Sequence, residues 1–269
     1  MDENNMNKDF ETGNNDREYV TAEEPQVETL GLLQRIACVF AAPTKLMENI
    51  QEKPKVLLPL LILVILALPY AYLSLASGEL YTIAMDNYSL ERYGMAYSAL
   101  TGDVGQGNVV MTMASTFLAT IAVNYLLGGL IAAFVLWLVC KAFKGSGKFK
   151  MYFSMFLHIY IVTTVVGMVS AFLMGQFNTL TDFLSLAAVL APNGSIADFS
   201  FLFFSTISVA TVWSAVLTGI GVRAINGFST TKAGAIAAAM FVLSTLFAAS
   251  IAYAGILSID LAMSAITAM

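Results

Sequence analysis

The chain predicts an all-α polytopic membrane protein: a bundle of five transmembrane helices, preceded by amphipathic N-terminal interfacial helices. Three observations predict it. Hydrophobic residues make up 58% of the 269 positions and charged residues 12%, against roughly half and a quarter in a soluble chain. Five apolar segments reach the roughly 20 residues that cross a bilayer as a helix. The charges are segregated rather than mixed along the chain.

Residues 1–28 hold nine of the eighteen acidic residues. An acidic start lacks the basic n-region of a secretory signal. Its Asn, Asp, Glu and Thr bury too little to offset ordering entropy, which predicts a disordered acidic cytoplasmic tail.

Residues 29–55 are amphipathic. Leu30, Leu33, Ile36, Ala37 and Phe40 recur at helical spacing, and Pro43 ends the run. Leu46, Met47 and Ile50 then share a face opposite Lys45, Glu48, Glu52 and Lys53, between Pro43 and Pro54. These segments predict one or two short helices lying on the inner leaflet, or docked on the bundle.

Residues 56–269 form the membrane domain, with spans over about 56–76, 109–139, 151–174, 199–222 and 233–257. Pro69 predicts a kink in the first. One set of flanks holds ten Lys and Arg, among them Arg35, Lys141, Lys144, Lys148, Lys150, Arg223 and Lys232; the other holds only Arg92. The positive-inside rule therefore predicts a cytoplasmic N-terminus and an extracytoplasmic C-terminus. The two long outer segments, 77–108 and 175–198, are read as loops anchored at the interface by Tyr and Phe. In the second, Phe183, Leu184, Leu186, Ala187 and Leu190 predict a short interfacial helix ending before Pro192-Asn193-Gly194.

Small or weakly polar residues recur every four positions in three spans. They are Thr116, Thr120, Asn124, Gly128 and Ala132; Thr163, Gly167, Ala171 and Gly175; and Thr206, Ala210, Ser214 and Thr218. Such stripes let helices approach in lipid, or they line a path. Asn124 is expected to form an interhelical hydrogen bond.

Little here resembles catalysis or coupled transport. The spans contain no ionisable residue except His158, whereas coupled pumps keep ion ligands or proton relays in the membrane. Cys38 and Cys140 are the only cysteines, too few for a zinc site. No metal spacing and no Gly-x-Ser-x-Gly elbow occurs. No catalytic, cofactor or metal site is therefore expected.

The stretch KAFKGSGKFK, residues 141–150, has four lysines around Gly145-Ser146-Gly147. A phosphate loop requires Gly, four residues, then Gly-Lys-Ser/Thr between a strand and a helix. Ala142 and Phe149 stand where the first Gly and the hydroxyl belong, and no strand precedes. Neither nucleotide nor nucleic acid is expected as a partner. The segment reads as a cytoplasmic turn with a flexible Gly-Ser-Gly tip, whose Lys141, Lys144, Lys148 and Lys150 contact anionic lipid or a protein.

VFAAPTKLMENIQEKPKVLLPLLIL, KGSGKFKMYFSMFLHIY and GVRAINGFSTTKAGAIAAAM resemble corresponding stretches of Yip-domain proteins of bacterial type. The resemblance implies five spans and a cytoplasmic N-terminus. Eukaryotic relatives bind Rab-type GTPases, but their Asp-Leu-Tyr-Gly-Pro and Gly-Tyr-Gly signatures are absent, so that role is not carried over. The third span also lacks a proline often found in relatives. Some bacterial relatives are associated with ABC-type exporters, envelope stress or toxin defence. The resemblance implies a non-enzymatic accessory or scaffold protein of the bacterial plasma membrane, with lipid and a membrane-protein partner. A small permease or channel and a lipid-binding or membrane-shaping protein are the alternatives.

Overall fold

The computed structural model describes residues 30–101, 109–192 and 194–268. The predicted acidic tail and residues 102–108 lie outside them. Eleven helical segments follow in order: α1 (Leu32–Ala41), α2 (Pro43–Glu52), α3 (Leu57–Tyr93), α4 (Ser98–Thr101), α5 (Val109–Ala119), α6 (Gly129–Ala142), α7 (Phe149–Phe177), α8 (Ala187–Leu190), α9 (Phe199–Thr206), α10 (Val209–Asn226) and α11 (Thr230–Thr267). A π-helical segment, Thr120–Gly128, joins α5 to α6. Five helices are long and apolar enough to cross a membrane: Leu57–Tyr93, Val109–Ala142, Phe149–Phe177, Val209–Asn226 and Thr230–Thr267.

The central helix is α7, which packs against α3, α6 and α10. It carries more of the largest fully buried side chains than any other described helix: Tyr152, Met155, Leu157, Ile159 and Ile161. Its partners contribute Leu63 and Ala67 of α3, Leu136 of α6 and Leu217 of α10.

Both amphipathic helices pack on the bundle, but α1 buries Arg35 and Val39 and leaves Ala37 and Phe40 of its predicted face exposed. Pro43 occupies the first turn of α2, where its missing N–H costs nothing. The predicted face of Leu46, Met47 and Ile50 is fully buried, against α10 and α7. Leaving the headgroup region for protein lets this face pack to core density.

Several predicted boundaries change, among them the fifth span, which runs from Thr230 to Thr267. The first span continues as one helix through Tyr93, past Pro69, instead of ending in a loop at Ser77. Its 37 residues span about 55 Å, well beyond a ~30 Å hydrocarbon core. The extension is held by a second small core, in which Met85 meets Ala187, Ile196, Phe201 and Ile256. At the same end the Tyr88 hydroxyl bonds the Asp260 carboxylate of α11 at 3.1 Å.

The predicted fourth span, 199–222, is broken into α9 and α10 at Ile207-Ser208. Ser208 and Thr211 cap each other's backbone N–H groups, at 2.8 and 3.3 Å, which starts a new helix where hydropathy shows no break. The backbone freed there is satisfied by the 184–186 segment: Leu186 N–H donates to Ile207 and Val209 N–H to Leu184. That pairing also corrects the predicted interfacial helix. Phe183–Leu186 runs through a turn fixed by Asp182, and only Ala187–Leu190 is helical.

Candidate functional site

The end of the bundle bearing α1, α2 and the lysine turn holds the most specific polar architecture. The Gly-Ser-Gly tip is packed against the bundle rather than free of it. Gly145 and Gly147 are buried while Ser146 is exposed. A Cβ on Gly147 would lie 2.7 Å from the Tyr152 hydroxyl oxygen, and one on Gly145 would lie 2.8 Å from the Cys140 carbonyl oxygen. The glycines are there for close approach. Asn226, the last residue of α10, accepts bonds from Gly147 N–H (3.2 Å) and Tyr152 O–H (2.8 Å). Its own amide donates to the Val222 carbonyl at 2.9 Å. Lys232 closes the arrangement from α11, donating to the Phe143 carbonyl at 2.9 Å with its ammonium 3.8 Å from the Phe228 ring centroid. Lys141, Lys144, Lys148 and Lys150 all point outward and are exposed.

Arg35, counted in the sequence only as a topological charge, is 1% exposed. Its guanidinium donates to Asn49 Oδ1, to the Leu30 carbonyl at 3.3 Å and to the Lys53 carbonyl at 3.3 Å. Lys53 caps α2, so the cation sits at the negative end of that helix dipole. Nη1 is buried with no partner among the described residues. Burial lowers the Arg35 pKa from its ordinary value. No sequence signal separates this arginine from the surface lysines around it, because its burial depends on how α1 and α2 fold together.

The predicted stripes meet only in part: Gly167 and Ala171 of the third span and Ala210 of the fourth line one cavity, which no residue of the second-span stripe lines. Thr163, Thr206, Ser214 and Thr218 donate to carbonyls of their own helices, at 3.1, 2.7, 2.8 and 2.8 Å. Gly167 receives the Tyr70 ring: a Cβ there would lie 3.2 Å from Cε2. Gly128 is half-buried beside Tyr160, and Thr116 is half-buried in α5. The second-span stripe loses its phase at the π-helical segment. Buried positions run Thr120, Tyr125, Gly129, Ala133, because a π turn repeats at about five residues rather than four. Asn124 is therefore exposed on the outside of the bundle, and the expected interhelical bond is made instead by Tyr125, whose hydroxyl lies 2.7 Å from Thr164 Oγ1. His158 is buried with Nδ1 2.7 Å from the Ser154 carbonyl oxygen, and Ser154 Oγ donates to the Lys55 carbonyl.

Two openings among the described residues flank this core. A cavity of about 220 Å³ near the other end is lined by Tyr70, Ser74, Ser77, Gly167, Ser170, Asp182 and Ser208. About two to three turns from Gly167 toward the start of α7, Leu63, Ala67, Tyr125, Leu157 and Ile161 pack into one buried core between α3, the π-helical segment and α7. The larger opening is a groove of about 840 Å³ between α2, α10 and α11. Its mouth carries Thr44, Glu48, Gln51 and Arg223. Its walls are apolar or small: Val212, Ala215, Val216, Gly219, Ile220, Ala237, Ala238 and Phe241.

The family model of the Yip1 domain matches residues 37–252. The chain belongs to the Yip1-domain family. No curated protein and no solved structure matches it. In this Yip1-domain protein the matched range takes in every lining residue of the groove, the glycine turn, Asn226 and Lys232. The three stretches that carried the family resemblance meet at this end: Met47 from the first, Tyr152 and Met155 from the second, and Val222 and Ile225 from the third share one core.

Proposed function

We propose that this Yip1-domain membrane protein is a non-enzymatic accessory protein of the bacterial plasma membrane. It acts by holding a membrane partner, such as an ABC-type exporter or a component of envelope-stress defence. The observation that carries this reading is the packed core of Leu63 and Ala67 of α3, Tyr125 of the π-helical segment and Leu157 and Ile161 of α7, which argues against a conduit between those three elements. The lysine-bearing end faces the cytoplasm in this reading. Lys141, Lys144, Lys148 and Lys150 then meet anionic headgroups, each worth about 1 kcal/mol near the surface. The α2–α10–α11 groove is where the partner engages.

A second reading has one observation of its own. Glu48 and Arg223 put both signs of charge at the mouth of an apolar groove, which suits a zwitterionic phospholipid with its chains between α10 and α11. The groove volume falls within the ~300–1,000 Å³ of ordinary ligand sites. A photo-crosslinking residue at Val216, activated in intact membranes, separates the two. A single dominant protein adduct, absent when the probe sits at lipid-facing Phe247, is expected for a partner. Adducts to phospholipid alone would replace the partner reading with the lipid one.

A further inference from the structure

Asn124 is an exposed carboxamide on the bundle surface that a lipid environment leaves unsatisfied. It is exposed, and no described residue bonds its side chain. It lies near the middle of the Val109–Ala142 helix, roughly 20 Å or more along the axis from either end. A carboxamide two bonds from the backbone cannot snorkel that far, as Lys or Arg would. Its neighbours on the outer face, Leu118, Ala122, Val123, Leu127 and Ile131, are exposed and uncharged. The exposure is built in: the π-helical Thr120–Gly128 segment turns Tyr125 inward at the position a regular helix would give to Asn124.

We infer that Asn124 is the centre of a contact between two copies of this chain, made by the outer face of the π-helical segment. A carboxamide carries donors and an acceptor on one group. Under a two-fold axis each Asn124 donates to the other's oxygen, so an isologous pair satisfies both. Polar side chains join transmembrane helices in this way because hydrocarbon offers no other partner. Ala122 beside it keeps the backbones free to approach. This face lies on α5 and α6, away from the α2–α10–α11 groove, so the contact does not depend on what the groove holds.

The test uses the full chain, fluorescently labelled, in liposomes over a range of protein-to-lipid ratios. Wild type is expected to dimerise reversibly. Asn124→Leu is expected to weaken the dimer about three- to twentyfold for each hydrogen bond lost, and Asn124→Gln to retain most of it. The Leu variant keeps its thermal stability, because it exchanges a lipid-exposed amide for an apolar group. In a Cys38→Ser, Cys140→Ser background, Asn124→Cys is expected to cross-link two copies on oxidation, and Phe247→Cys is not. A wild type that stays monomeric at every ratio, a Leu variant that dimerises equally well, or an Asn124→Cys variant that forms no cross-linked pair on oxidation would each overturn the inference.

Discussion

Arg35→Ala is expected to cost about 2–4 kcal/mol and to loosen α1 and α2 before any other part of the bundle. Hydrogen bonds to a charged group are worth about 1.5–3 kcal/mol each, and Arg35 makes three, all to groups that fold with α1 and α2. Truncation also leaves a void where a large, fully buried side chain stood. Amide hydrogen exchange should rise across 32–52 while α7 stays protected. Arg35→Lys should not restore protection, because one ammonium cannot match a planar fork whose Nη2 reaches both Asn49 and the Lys53 carbonyl while Nε reaches the Leu30 carbonyl. Unchanged exchange in the Ala variant would mean that α2 is held by its apolar face alone.

Gly147→Ala should destabilise the protein by about 1–3 kcal/mol, the usual cost of overpacking, and Gly145→Ala should act in the same direction. The new methyl on Gly147 meets the Tyr152 ring, with Cε2 at 2.9 Å. That ring cannot retreat without stretching its 2.8 Å bond to Asn226. Ser146→Ala, between the two glycines but exposed, should stay within about 0.5 kcal/mol of wild type. Thermal unfolding in one detergent compares all three. Equal stability of the Gly147 and Ser146 variants would show the turn to be as loose as its composition suggests.

Much of this architecture is legible in the sequence, because the bilayer imposes it. Spans must be apolar and helical, and the buried face of α2 follows from Leu46, Met47 and Ile50 at helical spacing with Pro43 and Pro54 as punctuation. What escapes is set by single residues in three dimensions. Hydropathy averages over a window, so it passes through Ser208 and Thr211 without seeing that their side chains end one helix and begin another. A spacing of four assumes an unbroken α-helix, and one π turn moves Asn124 from the inside of the bundle to the outside. The Ser77–Tyr93 extension of α3 is too polar to read as a span, although Met85 and Ser89 repeat at four and are buried. Gly145 and Gly147 look like flexibility in one dimension. Only the approach of Asn226, about 80 positions later in the chain, shows that they are spaces for packing.

The central claim is that the protein works by contact and not as a conduit. Flux through the purified protein in sealed liposomes tests it most directly, with ions and small neutral solutes on both sides and Thr163→Val and Thr218→Val variants alongside. Leak equal to protein-free vesicles, the same for wild type and variants, is predicted. A saturable flux that scales with protein and falls in the Val variants would contradict it, and would make the polar stripes a path after all.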